Sequence, residues 1–418
     1  MVVLLLPLVA AILLMDHFFP KASLPEEECD YAFVLTSDPK PTAKCERFEA
    51  KVIAVDKHRT NERVYLYVLR DSARLTPARG DTIITHTKIE TTNRIGRAFT
   101  ARYTLLPAKE HKDPLQKRLY GRLNAAGLEG DELATVGALT LGYKDDIDPE
   151  VRRHFQASGA AHVLAVSGLH TGIIYGVLLW LLTLGGRIKP LYTNRLGRSA
   201  ISLIIIAAMW GYAYLTGMTP SVVRAVIMVS IFEAGRMFYR QSFSINSIAA
   251  AAVLILLVRP SDLWSVSFQL SFAATAAIVL LTPRIHIRNR FLKGVVGILL
   301  VSLAAQLGTL PITIYYFGQV STYFLLTNLI VLPLATLLVP CGLLTIALGG
   351  STLGLIAGKI TWALAWLMNH SVAWIESLPG STVPAHINEW MIAIYYLLLV
   401  LFFLLLHQKE EKPHNFPK

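Results

Sequence analysis

The sequence predicts a polytopic α-helical membrane protein that carries one small all-β domain on the extracytoplasmic side. Of the 418 residues, 54% are hydrophobic and only 16% are charged, whereas soluble domains carry about 25% charged residues. Apolar runs follow one another from residue 163 onward, and residues 29–109 form short runs rich in β-branched and aromatic residues. The net charge of +11 fits the positive-inside bias, contact with anionic lipid, or a polyanionic cargo such as nucleic acid.

Residues 1–20 predict an N-terminal membrane anchor helix. Residues 2–15 are wholly apolar, and Phe18 and Phe19 extend the run toward the roughly 20 residues that a bilayer span needs. The run has no basic n-region and no small-residue cleavage site, which argues against a signal peptide.

Residues 27–110 predict the β domain. Runs such as FEAKVIAVDK and ERVYLYVLR are separated by turn residues, which is typical of antiparallel strands. Five strands in about 80 residues suit an OB-like barrel, with a two-sheet sandwich as the open alternative. Cys29 and Cys45 flank a polar stretch. An oxidising compartment favours a disulfide between them, and two separate thiols are the alternative.

Residues 111–160 predict an extracytoplasmic helical linker. Asp113-Pro114 and Asp148-Pro149 each precede a helical pattern, with the aspartate as N-cap and the proline at the first helical position.

Residues 161–407 predict a transmembrane helical domain, followed by a cytoplasmic tail over 408–418. Nine apolar runs predict spans near 163–184, 200–218, 221–238, 245–258, 264–282, 294–316, 322–348, 350–376 and 389–407. Three basic loops, near 187–198, 236–240 and 284–293, fall on one side of these spans. The positive-inside rule puts those loops in the cytoplasm and the β domain outside.

The stretch AVSGLHTG places Ser167, Gly168 and His170 at the mouth of the first of these spans. Ser167 and His170 share a face if the segment is helical. The stretch indicates either a broken helix end that lines a path or a helix-packing site with a hydrogen-bonded histidine. A nucleophile–base pair is a weaker alternative, because no acid is adjacent.

The stretch GMTPSVVRAV predicts a helix that starts at Pro220, with Thr219 as its cap. Arg224 then lies one turn inside, where it either snorkels to the interface or holds a phosphate at the outer mouth. Asp262 is expected in the first turn of a later helix, where the macrodipole favours an anion.

Two glutamines lie deeper in the predicted spans. Gln269 is expected to be a hydrogen-bonding residue of the bundle. Gln306 lies near Gly308 and Pro311, which interrupt the helical ladder. Backbone groups freed at that depth need protein or water partners, so this stretch indicates either a transport site or a plain kink.

These stretches, in this order and after a β domain, resemble the ComEC-type competence family. HVLAVSGLHTG is similar to the HLLAVSGLH-type hallmark of that family, and TPSVVRA and RPSDLWSVSFQLSFAAT resemble two further motifs. The resemblance covers residues 27 to 400 and implies a multi-pass bacterial inner-membrane channel that passes single-stranded DNA into the cytoplasm during natural transformation.

The resemblance also implies partners and sites. The partners are single-stranded DNA, the lipid bilayer, a periplasmic DNA-receptor protein and a cytoplasmic helicase-like motor, and the oligomeric state is left open. The predicted DNA path contains Ser167, Gly168, His170, Arg224, Asp262, Gln269 and Gln306. The predicted DNA-binding residues of the β domain are Lys51, Arg63, Tyr65, Tyr67, Arg94, Arg97 and Arg102, because single strands need cations and stackable rings.

The sequence departs from the fullest form of that family, which carries a C-terminal metallo-β-lactamase-like domain. No HxHxDH pattern and no GxxxxGK[ST] pattern occur in it, so no metal site, cofactor or ATP hydrolysis is expected, and the protein is not expected to be an enzyme. A secondary transporter of a small solute is the alternative function. That alternative would need ionisable groups near mid-bilayer, and the acidic residues of the spans, Asp262 and Glu233, lie near span ends.

Overall fold

The computed structural model divides the chain into two compact units, residues 1–114 and 115–418. The structure describes residues 27–36, 40–42, 45–55, 58–59, 63–69, 77, 81–92, 95–101, 103–106, 115–164, 166–183, 195–237, 245–258, 262–263, 265–282 and 287–410. The predicted anchor over residues 1–20 and most of the predicted tail lie outside the described residues.

The first unit contains a sheet, which confirms a β domain in this part of the chain. Its strands are β1 (Cys29–Leu35), β2 (Lys40–Pro41), β3 (Cys45–Val55), β4 (His58–Arg59), β5 (Arg63–Leu69), β6 (Thr82–Thr87), β7 (Ile89–Thr92), β8 (Ile95–Thr100) and β9 (Thr104–Leu106). Burial alternates along β1 and β6, because successive side chains of a strand point to opposite faces. The inward positions hold large apolar side chains such as Tyr31, Phe33, Phe48 and Leu66.

The strand order is β7-β8-β5-β3-β1-β6-β9, with β5 and β8 parallel. The ladder is not closed into a barrel in the described residues. Strands β6 and β8 meet instead through side chains: the Thr85 and Thr100 hydroxyl oxygens are 2.7 Å apart, and the Thr87 hydroxyl donates to the Phe99 carbonyl at 2.8 Å. The unit is therefore a curled sheet that stops short of the closed OB-like barrel that the sequence predicted.

The predicted disulfide between Cys29 and Cys45 is wrong in this register. Tyr31 of β1 pairs with Val55 of β3, so Cys29 lies beside the C-terminal end of β3, whereas Cys45 begins that strand. At about 3.3 Å per residue, the length of β3 separates the two sites by roughly 30 Å. A disulfide needs α-carbons within about 7 Å.

The second unit is helical. Its helices are α1 (Leu115–Ala125), α2 (Gly130–Leu141), α3 (Pro149–Ala157), α4 (Ala161–Leu164), α5 (Gly168–Thr183), α6 (Arg195–Leu215), α7 (Pro220–Met237), α8 (Ile245–Val258), α9 (Val266–Leu281), α10 (Arg290–Phe317), α11 (Phe324–Leu348), α12 (Thr352–Glu376) and α13 (Glu389–Glu410). Two short strands, β10 (Gln319–Ser321) and β11 (Thr382–Pro384), pair antiparallel.

Each predicted span coincides with one of the helices α5 to α13. Within the described part of the chain, three helices are long and apolar enough to cross a membrane: Leu196–Leu215, Phe291–Phe317 and Phe324–Leu348. Shorter apolar helices are Gly168–Thr183, Asn246–Val258, Val266–Leu281 and Glu389–Leu399. These helices identify a membrane protein, while its orientation and the extracytoplasmic side of the β unit stay predictions.

Helix α2 is the centre of the helical core. Its residues from Leu133 to Leu141 are all buried, and it packs against α11 and α12. Gly342 of α11 lets Thr140 approach, because a β-carbon at position 342 would lie 2.5 Å from the Thr140 methyl group. The region predicted as a linker therefore contributes directly to the core of the helical unit.

Candidate functional site

Three helix N-termini meet at one end of the helical unit. Helices α5, α7 and α9 begin at Gly168, Pro220 and Val266. A β-carbon at Gly168 would lie 3.9 Å from that of Ala225 in α7, and Arg224 of α7 reaches the backbone of Ser267 in α9. Because unpaired N–H groups and the macrodipole put partial positive charge at a helix N-terminus, this end favours anions.

Local sequence explains where α7 and α9 begin. Pro220 occupies the first position of α7, where its missing N–H is not needed. The Ser265 hydroxyl accepts a hydrogen bond from the Phe268 N–H at 3.2 Å and caps α9. The predicted start at Pro220 is confirmed, whereas the predicted cap is wrong, because the Thr219 hydroxyl has no hydrogen-bond partner among the described residues.

Arg224 lies between these two ends and is only 2% exposed. Its Nη2 atom donates to the Ser267 carbonyl at 2.9 Å, to the Ser267 hydroxyl at 2.7 Å and to the Ser221 hydroxyl at 3.3 Å. Its Nε and Nη1 atoms are buried and have no hydrogen-bond partner among the described residues. The acidic neighbour whose charge acts on the guanidinium is Asp262. Arg224 therefore does not snorkel to the surface of this unit.

The Ser167–His170 contact predicted from their spacing is present. The Nδ1 atom of His170 accepts a hydrogen bond from the Ser167 backbone N–H at 3.1 Å and lies 3.0 Å from the Ser167 hydroxyl oxygen. Since a backbone N–H can only donate, Nδ1 carries no proton, and the neutral ring holds its proton on Nε2. That Nε2 atom is buried and has no hydrogen-bond partner in the described residues.

This geometry bears on the nucleophile–base alternative. The hydroxyl of Ser167 lies at the distance that proton transfer to His170 requires. However, the backbone N–H of Ser167 shares the same Nδ1 atom, and no carboxylate in the described chain is hydrogen-bonded to Nε2. Lys144 is a cationic neighbour of His170, and the described residues give the imidazole no carboxylate partner, so the motif does not form a catalytic triad.

The two predicted glutamines make no hydrogen bond to Arg224 among the described residues. The amide of Gln269 donates to the Leu263 carbonyl at 3.1 Å, which ties α9 to the turn before it. Gln306 is half-buried on α10 and makes no hydrogen bond to Arg224 or His170 in the described residues. The structure thus brings Ser167, Gly168 and Arg224 to one helical end, and it leaves Gln306 on a separate helix. Asp262 was expected in the first turn of α9, but it lies before that helix, which is capped by Ser265 and begins at Val266.

Sequence reasoning missed a buried network around Glu233, which is 0% exposed. One carboxylate oxygen accepts from the Tyr175 hydroxyl and from Arg236 Nη1, both at 2.7 Å, and the other accepts from the Ser202 hydroxyl at 2.6 Å. The network joins α5, α6 and α7. The signal for it was the spacing of Glu233 and Arg236, three residues apart on an apolar helix.

The β unit gathers aromatic and basic positions on the outer face of β3, β5 and β8. The rings of Tyr67 and Phe99 stack with centroids 4.7 Å apart, and Phe99 is 54% exposed. The Arg47 guanidinium lies 5.2 Å from the centroid of the Tyr65 ring. Lys51 is half-buried on the same face of β3.

Of the other predicted basic residues of this domain, the structure describes the backbone of two. By backbone register, Arg63 pairs with Lys51, and Arg97 pairs with Tyr65. Arg94 and Arg102 lie outside the described residues. Arg47 is an addition that the sequence-based set of DNA-binding residues lacked, because only the register reveals its contact with Tyr65.

Comparisons with known proteins agree with the motifs. A family model described as "Competence protein" matches residues 139–409. ComE operon protein 3 of Bacillus subtilis (strain 168) is 30% identical over 259 residues, which is 60% of this chain and 31% of that protein. The uncharacterized protein YcaI of Escherichia coli (strain K12) is 27% identical over 208 residues, 49% of this chain and 27% of that protein.

An uncharacterized protein of Aquifex aeolicus (strain VF5) is 29% identical over 169 residues, 40% of this chain and 37% of that protein. The chain spans about a third of the length of these relatives. The comparison with solved structures gave no significant match.

Proposed function

Because the chain belongs to the Competence protein family, we propose that it passes one strand of incoming DNA through the bacterial inner membrane during natural transformation. A role in competence and DNA uptake follows from the family and from the similarity to ComE operon protein 3. The finer proposal, a channel for single-stranded DNA rather than an enzyme, draws its support from the two sites described above.

The observation that carries the proposal is the Tyr67–Phe99 ring pair on the β unit, in which Phe99 is exposed and Tyr67 half-buried. Unpaired bases stack on such rings, at roughly 1–3 kcal/mol per base, whatever their sequence. A duplex keeps its bases stacked inside and would not use them. Arg47 and Lys51 lie on the same face, where they supply cations for the phosphates of the same strand.

The helical unit adds an entrance that suits a polyanion. The N-termini of α5, α7 and α9 and the side chain of Arg224 put positive charge at one end. In the proposed orientation this end faces the extracytoplasmic side. A DNA-receptor protein would deliver the strand there, and a helicase-like motor would draw it from the cytoplasmic side.

A complementation experiment tests the transport role. A deletion strain of the host that carries the full chain should regain transformability, and uptake of small solutes should stay unchanged. Restored solute uptake without transformation would favour the transporter instead.

A binding experiment tests the β surface in the full chain, embedded in lipid nanodiscs. Affinity for a thymidine oligonucleotide should fall steeply with salt. Tyr67→Ala and Phe99→Ala should each weaken it by about fivefold or more, whereas Tyr67→Phe, which keeps the stacking face, and the surface control Lys88→Ala should bind nearly as the parent chain does. Equal affinity of Tyr67→Ala and the parent chain would contradict a stacking role.

One observation speaks to the transporter alternative, because Glu233 is a buried carboxylate of the kind that couples ions to solutes. Both of its oxygens, however, are occupied by Tyr175, Ser202 and Arg236. A carboxylate that is already paired with the cation Arg236 and bonded to two hydroxyl groups holds helices together, which favours the channel.

A further inference from the structure

We propose that Arg224 and the N-termini of α7 and α9 form a subsite that binds a single phosphate group. This inference rests on the proposed function only for the source of the phosphate, namely a phosphodiester of the moving strand. The subsite itself is argued from side chains of the helical unit.

Arg224 is a buried cation whose lost hydration is only partly replaced. Removing a guanidinium from water is costly unless hydrogen bonds or an opposite charge replace the lost water. The contacts of Arg224 are made through Nη2 alone and go to the neutral groups of Ser221 and Ser267. The N–H groups on Nε and Nη1 are buried and lack acceptors in the described residues, which leaves them as donors for an anionic ligand.

Hydroxyl groups surround the guanidinium of Arg224 on the α7 and α9 side. The hydroxyl oxygens of Ser221 and Ser267 lie 3.4 Å apart, and both lie within 3.3 Å of Nη2 of Arg224. These hydroxyls can donate to an oxyanion, and two helix N-termini supply a positive field. A tetrahedral phosphate has enough oxygens to accept from the arginine and from the hydroxyls together.

Asp262 limits how tightly the subsite would hold a phosphate group. Asp262 acts on Arg224 electrostatically, and no ion pair joins the two among the described residues. A nearby carboxylate weakens the attraction for a second anion. Weak, single-site binding is what a conduit needs, because a cargo must leave each site as readily as it enters.

Inorganic phosphate is the probe that tests the subsite. The full chain is placed in nanodiscs of zwitterionic lipid, and its thermal unfolding is followed at increasing phosphate with ionic strength held constant by chloride. Phosphate should raise the midpoint of unfolding, since a ligand of the native state stabilises it. Arg224→Gln should weaken phosphate binding by about tenfold or more, and Arg224→Lys, which keeps the charge, by less.

Two further variants keep the test decisive. Ser267→Ala retains the arginine and should weaken phosphate binding by about fivefold, which provides a measurement if Arg224→Gln does not fold. Arg152→Gln removes an exposed arginine from α3 and should leave the phosphate effect unchanged. If both site variants respond to phosphate as the parent chain does, the subsite is overturned.

Competition experiments distinguish the possible sources of the phosphate, and a transformation assay separates the subsite from the proposed transport function. Competition by anionic lipid in the nanodisc would assign the site to a lipid headgroup, whereas competition by an oligonucleotide, but not by its uncharged methylphosphonate analogue, would assign it to the strand. A chain that binds phosphate through Arg224 but fails to restore transformation would contradict the proposed function and leave the subsite standing.

Discussion

The hydroxyl group of Tyr395 in α13 donates a hydrogen bond to the carbonyl oxygen of Leu307 in α10, at 2.8 Å. In a regular helix that carbonyl would accept from the N–H of residue 311. Residue 311 is proline and has no N–H. Tyr395 therefore supplies the donor that Pro311 lacks, as expected for a backbone group freed within an apolar helix.

Tyr395→Phe should consequently lower the free energy of unfolding by about 1–3 kcal/mol, because it leaves a carbonyl without a donor. Tyr396→Phe is the matched control. Tyr396 donates to Gly308, whose carbonyl keeps its ordinary helical partner, so the loss should be smaller. Thermal unfolding of both variants in detergent measures the difference in stability. Equal losses would show that the Leu307 carbonyl finds another donor when the Tyr395 hydroxyl is removed.

The Glu233 network predicts a second pair of effects. Ser202→Ala removes a donor to a buried carboxylate and should cost about 1.5–3 kcal/mol of stability. Glu233→Gln leaves Arg236 without its counter-charge and should cost more, about 3–5 kcal/mol. Ser199→Ala, one turn earlier on the same helix, should change stability little. If Ser202→Ala matches that control in a denaturation series, the network does not hold α6 to α7.

Close packing of α10 on α9 predicts a contrast between two glycines of one helix. A β-carbon at Gly308 would lie 2.5 Å from that of Ala277 and 2.7 Å from the Ala273 carbonyl, whereas one at Gly294 meets nothing within 4 Å. Gly308→Ala should therefore destabilise the protein by about 1–3 kcal/mol. Gly294→Ala should be neutral or stabilising by up to about 1 kcal/mol. Unfolding midpoints test the contrast, and a tolerated Gly308→Ala would mean that the two helices separate easily.

Tyr120 in α1 predicts a loss of stability at alkaline pH. Burial, together with the charge of Asp146 and a hydrogen bond to it, raises the pKa of the Tyr120 hydroxyl well above its ordinary value. The unfolded chain therefore loses this proton first, so stability is unaffected below about pH 10 and falls as the pH rises further. Unfolding measured between about pH 8 and about pH 11 should show a smaller alkaline loss for Tyr120→Phe than for the parent chain. Identical dependence of stability on pH in Tyr120→Phe and the parent chain would exclude a contribution of Tyr120 to the alkaline loss of stability.

The helices could be predicted because the length of each apolar run in the sequence indicates the length of one helix, as α10 and α11 illustrate. The local motif around Ser167 and His170 was equally accessible, since its two side chains are three residues apart. Contacts between distant segments were not. The Glu233–Ser202 bond depends on how α6 packs on α7, and the position of Cys29 relative to Cys45 depends on strand register, which no local pattern fixes.

The burial of α2 among α11 and α12 also has a practical consequence for experiments on shorter versions of this chain. The family match begins at residue 139, inside α2, whose Thr135 hydroxyl donates to the side chain of Asn369 in α12. A gene trimmed at that boundary would encode only residues 139–141 of this helix, which runs from Gly130 to Leu141, and would remove most of the segment that packs against α11 and α12. Fragments meant for crystallisation or cryo-microscopy should start no later than Leu115.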